Sequence, residues 1–391
     1  MSQFHSIRLI LGDQLNPQHS WYREKDDGIL YLMAELHQEA VYVKHHIQKL
    51  CGFFAAMADF AQSLKAEGHQ LCYYSLDESA QFDSLSQMIS SLCQQHNVSC
   101  FDYQAPDEYR LSQQMLALDL GPDIKICCYD SEHFLLPKDE IGQYINSGVH
   151  NRMESFYRKM RKRFYVLMEG DQPRGDRWNF DGENRQKLKA ADLAEVPEPL
   201  LFSNDVSAIL ERLERHKIAS IGKGTEQLLW PVNQQQALQL LEFFCHHCLP
   251  NFGRFQDAMT RHGENRWTLY HSRLSFALNS KLLQPMQVIE TAIGYFESGE
   301  ADIDLAQIEG FVRQIIGWRE YVNGMYWYLG EEYEKNNQLG AKRELLPLLR
   351  DPEKTSMNCV KSIVTDINER AWVHHIPRLM MLSNLALITG T

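Results

Sequence analysis

The feature that most constrains the fold is the alternation of short apolar runs with helical segments across the first 150 residues. The runs are rich in Ile, Val, Leu, Tyr and Cys, as strands buried on both faces are. They are IRLILGD (7–13), GILYLMA (28–34), QLCYYSLD (70–77), VSCFDYQ (98–104) and IKICCYD (124–130). Helical patterns such as 43–67 and 84–96 lie between several of them. The alternation predicts a Rossmann-like α/β domain with a parallel sheet.

Ligands of such a sheet bind at the carboxyl ends of its strands. The loops just after Asp13 and around 35–42 are therefore the first candidate binding regions.

Strand-like runs nearly disappear after residue 150, and long amphipathic patterns replace them. These patterns cover 153–164, 208–217, 234–248, 285–297, 308–329 and 359–388. The segment 171–201 contains several glycines and prolines and predicts an irregular connection. We therefore expect an α/β domain over 1–150, a linker with a first helical segment over 151–205, and an all-α domain over 206–391.

Charge separates the same two parts of the chain. The net charge is -12, of which residues 1–150 carry -11, whereas residues 151–190 sum to +5 and contain RKMRKR (158–163). A protein that grips a phosphate backbone needs local Lys and Arg rather than a basic average. A solvated helix face is the alternative interpretation of this stretch.

The composition, with 44% apolar and 23% charged residues, is that of a globular protein and excludes a disordered or collagen-like chain. Nine cysteines in 391 residues are too sparse for a disulfide framework, so reduced thiols are expected. The N-terminus lacks a signal-peptide pattern, and no apolar run has the length of a membrane span. We expect a cytoplasmic protein with no membrane partner.

Several familiar motifs are weak or missing. Cys245-His-His-Cys248 has C-x-x-C spacing, but no second ligand pair lies at zinc-finger distance. There is no G-x-G-x-x-G after the first strand, no Walker-type phosphate loop and no G-x-S-x-G elbow.

Three segments of the helical half carry stronger signals. YHSRLSFAL (270–278) offers two hydroxyls, backbone N–H groups and one cation to a phosphate, although a capping serine would look similar. GFVRQIIGWREYVNGMYW (310–327) places Arg and Glu between aromatic residues, which is unusual for a core helix. WVHHIPRLMMLSNLAL (372–387) places His374, His375 and Arg378 on an otherwise apolar helix, where they need acceptor or anionic partners. A satisfied core histidine is the alternative.

Together these segments resemble one family. SRLSFAL is similar to the T-S-x-L-S phosphate-clamping segment of photolyases and cryptochromes, GWREY resembles their W-R-E-F/Y helix, and WVHHIPR resembles the W-x-H-H-x-x-R segment of (6-4) photolyases. LILGDQL (9–15), WNFDGENR (178–185) and LPNFGRFQDAM (249–259) extend the resemblance to the bacterial iron-sulfur branch of that superfamily.

The resemblance implies an FAD-binding helical domain. By position, Ser272, Leu274 and Ser275 would hold the diphosphate, and the residues lining the flavin would be Gln314, Trp318, Arg319, Trp372 and Arg378. In (6-4) photolyases a histidine of this segment donates a proton to the DNA lesion under repair. The resemblance assigns that role to His375, with His374 beside it.

The N-terminal domain of this branch resembles an antenna domain that holds a lumazine-type chromophore. The matching positions are Glu39, Tyr42 and His45, with Asp13 and Glu35 nearby. Polar helix-surface residues are the alternative interpretation.

Two departures from the family pattern concern its metal cluster and its electron relay. Members of the branch bind a [4Fe-4S] cluster through four cysteines, of which only Cys359 has a counterpart here. The other three lie in a C-terminal stretch that this sequence lacks, so the helical domain is expected to be incomplete at its C-terminus. Asp351 stands where relatives carry a relay tryptophan.

The resemblance therefore predicts a light-dependent DNA photolyase that repairs (6-4) pyrimidine-pyrimidone lesions by electron transfer from reduced FAD. Repair in a single pocket requires no second subunit, so we expect a monomer. Its partner is damaged DNA. A cryptochrome-like photoreceptor without repair activity is the alternative, and a truncated relative with weak flavin binding is a third interpretation.

Overall fold

Five parallel strands form the sheet in the first part of the chain. The computed structural model describes residues 4–146 and 149–391. The strands are β1 (Ser6–Leu9), β2 (Ile29–Ala34), β3 (Leu71–Tyr74), β4 (Cys100–Gln104) and β5 (Lys125–Tyr129). They lie in the order β3-β2-β1-β4-β5, and every neighbouring pair is parallel. Each predicted apolar run overlaps one of these strands, so the predicted α/β class is confirmed.

The order of the strands fixes where a ligand can approach. All six residues of β2 are buried, whereas β5 is an edge strand that is largely exposed. Leu9 of β1 pairs with Leu32 on one side and Tyr103 on the other. Strands β2 and β3 lie on one side of β1, and β4 and β5 lie on the other. Ligands of such sheets usually bind in the crevice between the carboxyl ends of the two strands where the order reverses, here β1 and β4.

Amphipathic helices supply the rest of this core. Helix Leu85–His96 starts at Ser84, whose hydroxyl accepts from the Gln87 N–H, and ends at left-handed Asn97. It packs with helix Tyr109–Leu116 against the apolar side chains of β1, β2 and β4. The other helices over residues 4–133 are His37–Val41, Ile47–Ala66 and Leu76–Ser79.

The chain divides into two compact units that are not continuous in sequence. The first comprises Met1–His133, Leu201–Ala237 and Ser275–Gln284, and the second comprises Phe134–Leu200, Leu238–Leu274 and Pro285–Thr391. Helix Ser275–Asn279 joins the first unit through Phe276, whose ring lies 5.2 Å from that of Phe53. The domain boundaries expected near residues 150 and 205 assume that each domain is continuous in sequence, and they stay a prediction.

The second unit is built almost entirely from helices, some of which contain π-helical turns. The helix Met153–Phe164 has the bounds that its pattern predicts. The helices of this unit are Ile141–Tyr144, Met153–Phe164, Ala190–Ala194, Leu249–Phe252, Pro285–Ser298, Leu305–Val312, Glu320–Leu329, Asn358–Arg370 and Asn384–Thr389. Helices Ser207–Arg215 and Ser275–Asn279 belong to the first unit, and the division between the units falls within helix Gln234–Phe243. The π-helical stretches are Phe244–Cys248, Arg313–Arg319 and Pro377–Ser383. Among the described residues, no helix combines the length and apolarity that crossing a bilayer requires.

The single helical pattern over 359–388 is wrong in one respect, because the helix is broken. Helix Asn358–Arg370 ends at Ala371, which has a left-handed φ of 57°. Residues 372–374 are not helical, and a new helix starts at His375. Pro377 favours a helix start near this point, since its ring lacks the N–H that a helix interior needs. His374 therefore precedes the helix on which the sequence placed it.

Candidate functional site

A cluster of aromatic and imidazole rings lies in the second unit, with Trp267 and His374 buried and His271 and Trp372 half-buried. The rings of His271 and His374 stack, with centroids 4.2 Å apart and planes 18° apart. Trp372 lies 6.5 Å from each imidazole, and Trp267 lies 5.8 Å from Trp372. The break in the helix at Ala371 is what frees Trp372 and His374 to turn towards this cluster.

Both imidazoles of the cluster are held in the neutral form. Burial, followed by the charges of His271 and Arg378, lowers the pKa of His374 to about 2. Burial and the neighbouring His375 lower the pKa of His271 to about 4. Since unfavourable desolvation of the charged form dominates, neither ring carries a proton at neutral pH.

Polar atoms of the cluster have no hydrogen-bond partner within the described chain. They are Nδ1 of His374 and Nε2 of His271. Native proteins rarely leave such buried atoms unsatisfied, and a bound ligand can supply the missing partner. A polar heterocycle with donor and acceptor edges would satisfy them.

Arg273 presents a buried positive charge in the predicted phosphate-clamping segment. Its side chain is 5% exposed, and no hydrogen bond or ion pair of its guanidinium is found within the described residues. Burial lowers the pKa of Arg273 to about 10, and its φ of 58° is a strained value for a residue other than glycine. A buried, uncompensated cation requires an anion, so this segment fits the diphosphate of FAD.

The predicted clamp residues flank Arg273. Ser272 is half-buried, Leu274 is buried, and Ser275 is exposed at the first position of helix Ser275–Asn279. The boundary between the two units falls between Leu274 and Ser275.

Three more predicted flavin residues lie on one helix of the second unit. Gln314, Trp318 and Arg319 belong to the π-helical stretch Arg313–Arg319. Gln314 donates to the Gly310 carbonyl at 3.0 Å, and the Trp318 side chain is 47% exposed. Wide π-turns occur frequently at functional sites, because they redirect side chains that a regular helix would point elsewhere.

The adjacent Glu320 is buried and structural. Its carboxylate accepts from the N–H groups of Leu135 and Leu136 at 3.0 and 3.2 Å. Arg319 lies over the Phe134 ring at 4.4 Å. The Arg319 guanidinium also lies 3.9 Å from the Glu320 carboxylate, so the two adjacent side chains form an ion pair, contrary to the expectation that they point apart.

His375 and Arg378 differ from His374 in exposure. Both side chains are exposed, His375 at the start of its helix and Arg378 within the π-helical stretch Pro377–Ser383. The ring contacts thus gather Trp372 and His374 with His271 and Trp267, which the sequence interpretation did not single out. His271 directly precedes the predicted clamp residue Ser272 in YHSRLSFAL. A histidine at this position was the sequence signal that could have added it to the candidate site.

A second cluster lies in the first unit and contains three of the predicted antenna residues. His45 contacts Tyr42 edge-on at 5.0 Å and bonds to the Glu39 carbonyl at 3.1 Å. Arg110 binds the Glu39 carboxylate through two nitrogens, at 2.6 and 3.1 Å, and lies over the Tyr42 ring at 4.5 Å. Burial and the neighbouring Lys49 lower the pKa of His45. Sequence reasoning missed Arg110, because its partner Glu39 is 71 residues away in the chain. It also missed Lys49, which lies one helical turn from His45.

The other two predicted antenna residues, Glu35 and Asp13, form buried or partly buried ion pairs that link separate segments of the first unit. Glu35 is fully buried, and its carboxylate accepts from Tyr73 at 2.7 Å, from Arg212 at 2.9 Å and from the Leu76 N–H at 2.8 Å. These contacts engage both carboxylate oxygens.

Asp13 pairs with a lysine that is almost wholly buried. The ammonium of Lys281 lies 2.9 Å from Asp13 and 3.0 Å from Asp107, which follow β1 and β4. Burial alone would lower the pKa of Lys281, but the two carboxylates raise it. The ion group therefore fixes the loops on either side of the reversal in strand order.

The residues around Cys359 do not fit a four-iron cluster. Cys359 is exposed on helix Asn358–Arg370. Cys245 and Cys248 are buried, and burial raises the pKa of each thiol to about 12. Among the described residues, the group of three potential metal ligands is Cys100, Asp102 and Cys127, which excludes Cys359. Four thiolates are needed for such a cluster.

The basic stretch 158–163 is less available than its sequence indicates. Arg161 is fully buried and donates to the carbonyls of Val166, Leu167 and Trp178. Arg158 pairs with Glu154 on the same helix. The exposed Lys159 and Lys162 remain candidates for phosphate contacts.

Comparison with known proteins places this geometry in a family. Residues 8–229 match the family model described as deoxyribodipyrimidine photo-lyase-related protein. The chain is 35% identical over 386 residues to a (6-4) photolyase of Agrobacterium fabrum, covering 98% of this chain and 74% of that protein. An uncharacterised mimivirus protein is 27% identical over 151 residues, 38% of this chain and 74% of its own.

A solved structure shares the fold. A bacterial class III photolyase from Agrobacterium tumefaciens superposes with a TM-score of 0.61 at 15% identity, covering 98% of this chain and 73% of that one. The family model matches more than half of the chain, and the sequence similarity extends over nearly all of it. The chain belongs to the deoxyribodipyrimidine photo-lyase-related protein family.

Proposed function

We propose that this protein is a DNA photolyase, a carbon-carbon lyase that repairs (6-4) pyrimidine-pyrimidone lesions under blue light. The observation that carries the proposal is the ring cluster, in which a buried, neutral His374 stacks on His271 while the adjacent His375 is exposed. The similarity to a (6-4) photolyase over 98% of the chain supports the same reaction.

FAD is the proposed cofactor of the second unit. Ser272 and Leu274, with Arg273 between them, would hold its diphosphate; Ser275, which the resemblance also assigns to the clamp, belongs to the first unit. The side chains that would line its ring system are Gln314, Trp318, Arg319, Trp372 and Arg378. When bound and reduced, FAD supplies an excited-state electron to the lesion, and the protein contributes position, electrostatics and exclusion of competing reactions.

His375 is the proposed proton donor. An electron added to the lesion needs an accompanying proton, and an imidazole can deliver one near neutral pH. His374 is a poor source, because its pKa of about 2 keeps it neutral. Exposed His375 can meet a damaged dinucleotide that has left the base stack, while His374 stabilises its position from the buried side.

The first unit is the proposed antenna domain. Glu39, Tyr42 and His45 offer acceptors and a ring to a planar lumazine-type heterocycle, and Arg110 orients Glu39. We assign Asp13 and Glu35 a supporting role through their ion pairs with Lys281 and Arg212. We derive no step from an iron-sulfur cluster.

The proposed partner is damaged DNA, bound by one chain in the cytoplasm. A single lesion pocket needs no second subunit, which is the basis for proposing a monomer.

The assignment of His375 as proton donor is tested with two variants, each of which replaces one exposed histidine by alanine. Purified, flavin-reduced wild type, His375→Ala and His247→Ala are illuminated with an oligonucleotide that contains one (6-4) lesion. We expect His375→Ala to lose repair by at least about a hundredfold while it retains bound flavin. His247, an exposed histidine elsewhere in the second unit, should be dispensable. Unchanged repair by His375→Ala would overturn the assignment, and flavin photoreduction without repair in wild type would favour a photoreceptor.

A further inference from the structure

Two cysteines and an aspartate converge on one face of the sheet, apart from the residues assigned above. Cys100 and Asp102 lie on β4, and Cys127 lies on β5. Their potential ligand atoms all lie within 4.8 Å of one another, and Cys100 Sγ is 3.8 Å from Asp102 Oδ1. Asp102 is buried and the two cysteines are half-buried, so a small ion has access from solvent.

The sheet geometry explains why these three side chains meet. Alternate residues of a strand point to the same face, so Cys100 and Asp102 share one. Asp102 is paired directly with Cys127 in the parallel register. Cys128, the next residue, points to the opposite face and provides an internal comparison.

Asp102 is already oriented as a metal-binding carboxylate. Its Oδ2 accepts from Ser6 Oγ at 3.0 Å and from Arg8 Nε at 3.2 Å. Its Oδ1 is thereby directed to the Cys100 thiol. Such outer contacts fix the ligands of protein metal sites and tune their affinity.

The spacing suits a tetrahedral ion. With metal–sulfur and metal–oxygen distances of about 2.3 and 2.0 Å, tetrahedral ligands lie about 3.8 Å (S to S) and about 3.5 Å (S to O) apart. Because every pair of ligand atoms lies within 4.8 Å, the group needs a contraction of at most about 1 Å between the sulfurs and about 1.3 Å between sulfur and oxygen. Two thiolates and one carboxylate select a thiophilic cation over Mg²⁺ or Ca²⁺.

A disulfide fits the same residues less well. Cys100 is paired with Lys125, so Cys127 lies diagonally across the two strands, two residues further along. Parallel strands lie about 4.8 Å apart and two residues rise about 6.6 Å, which puts the two Cα atoms about 8 Å apart, beyond the Cα distance that a disulfide spans without backbone movement. A metal ion bridges this longer separation.

We propose that Cys100, Asp102 and Cys127 form a binding site for a thiophilic divalent cation of the Zn²⁺ type. Three protein ligands leave the fourth tetrahedral position to solvent.

Cobalt is the probe for this site. Reduced, metal-free protein is titrated anaerobically with Co²⁺, and the thiolate-to-cobalt charge-transfer band and visible bands of tetrahedral cobalt are recorded. We expect wild type and Cys128→Ser to bind one cobalt per chain with matching spectra. Cys100→Ser and Cys127→Ser should lose affinity by at least about tenfold and show a weaker charge-transfer band.

A second readout protects the test against misfolding of the variants. Zn²⁺ should raise the melting temperature of wild type and Cys128→Ser, because an ion that binds only the native state stabilises it. Asp102→Asn, which keeps its shape, should lose this rise. Spectra of Cys127→Ser that match wild type, or an equal loss in Cys128→Ser, would overturn the proposal.

Discussion

At the scale of single residues, the most informative side chains are buried groups whose charge state is constrained. Arg273 is buried with no anionic partner among the described residues and only the Trp267 ring 5.8 Å away, whereas His271 and His374 are kept neutral. Such groups destabilise the free protein and are retained where a ligand compensates them. Replacing such a group should therefore stabilise the ligand-free protein and weaken binding of the ligand.

Replacing Arg273 by methionine tests this opposition. Arg273→Met should raise the free energy of unfolding of the flavin-free protein by about 1 kcal/mol, because it removes a buried uncompensated charge. The same change should weaken FAD binding by about tenfold or more, measured by the quenching of flavin fluorescence. Arg261→Met, at an exposed position, should change neither quantity. Weaker flavin binding together with lower stability would instead indicate a structural role.

The buried histidines predict sensitivity to acid. In the unfolded chain an imidazole takes up a proton near pH 6.5, whereas folded His374 does so only at about pH 2. Stability is therefore fully present above pH 6.5 and falls as the pH is lowered. Between pH 6.5 and 5.5, His374 should contribute a loss of about 1 kcal/mol.

Urea unfolding of wild type and His374→Gln at these two pH values measures this contribution. Glutamine does not titrate, so the variant should lose about 1 kcal/mol less than wild type over the interval. Equal losses would show that His374 is accessible to protons in the folded state.

At the scale of elements, apolar patterning located the five strands and most helices, because burial on both faces requires continuous apolar runs. It did not locate the break at Ala371, since a left-handed alanine leaves no trace in hydrophobic periodicity. It also could not bring His271 next to His374, because that contact depends on packing between distant segments. The family resemblance supplied the candidate site residues, and the structure showed which of them contact one another.

The break itself can be tested at Ala371. Glycine adopts positive φ without the steric cost that a Cβ atom imposes, so Ala371→Gly should raise the free energy of unfolding by about 0.5–1 kcal/mol. Ala371→Val should lower it by more than about 1 kcal/mol. Thermal unfolding of both variants against wild type measures the difference. Destabilisation by glycine would show that Ala371 is helical and that the two helices are continuous.

At the scale of the whole molecule, sequence order and spatial grouping differ. Residues 201–237 and 275–284 join the sheet-containing unit, although they follow residue 150 and include the predicted helical pattern over 208–217. Hydrophobic periodicity assigns an element type but does not identify the surface on which the element packs. The proposed antenna residues lie in the first unit, whereas the histidine cluster and the proposed flavin residues other than Ser275 lie in the second.

Light-driven repair by the unmodified chain is the decisive measurement for the proposed function. Wild type with bound, reduced FAD is mixed with an oligonucleotide that carries one (6-4) lesion, and the restored dinucleotide is quantified by chromatography in blue light and in darkness. We expect restoration in the light and none in the dark. A lesion that persists under illumination while reduced flavin remains bound would contradict the proposed repair activity.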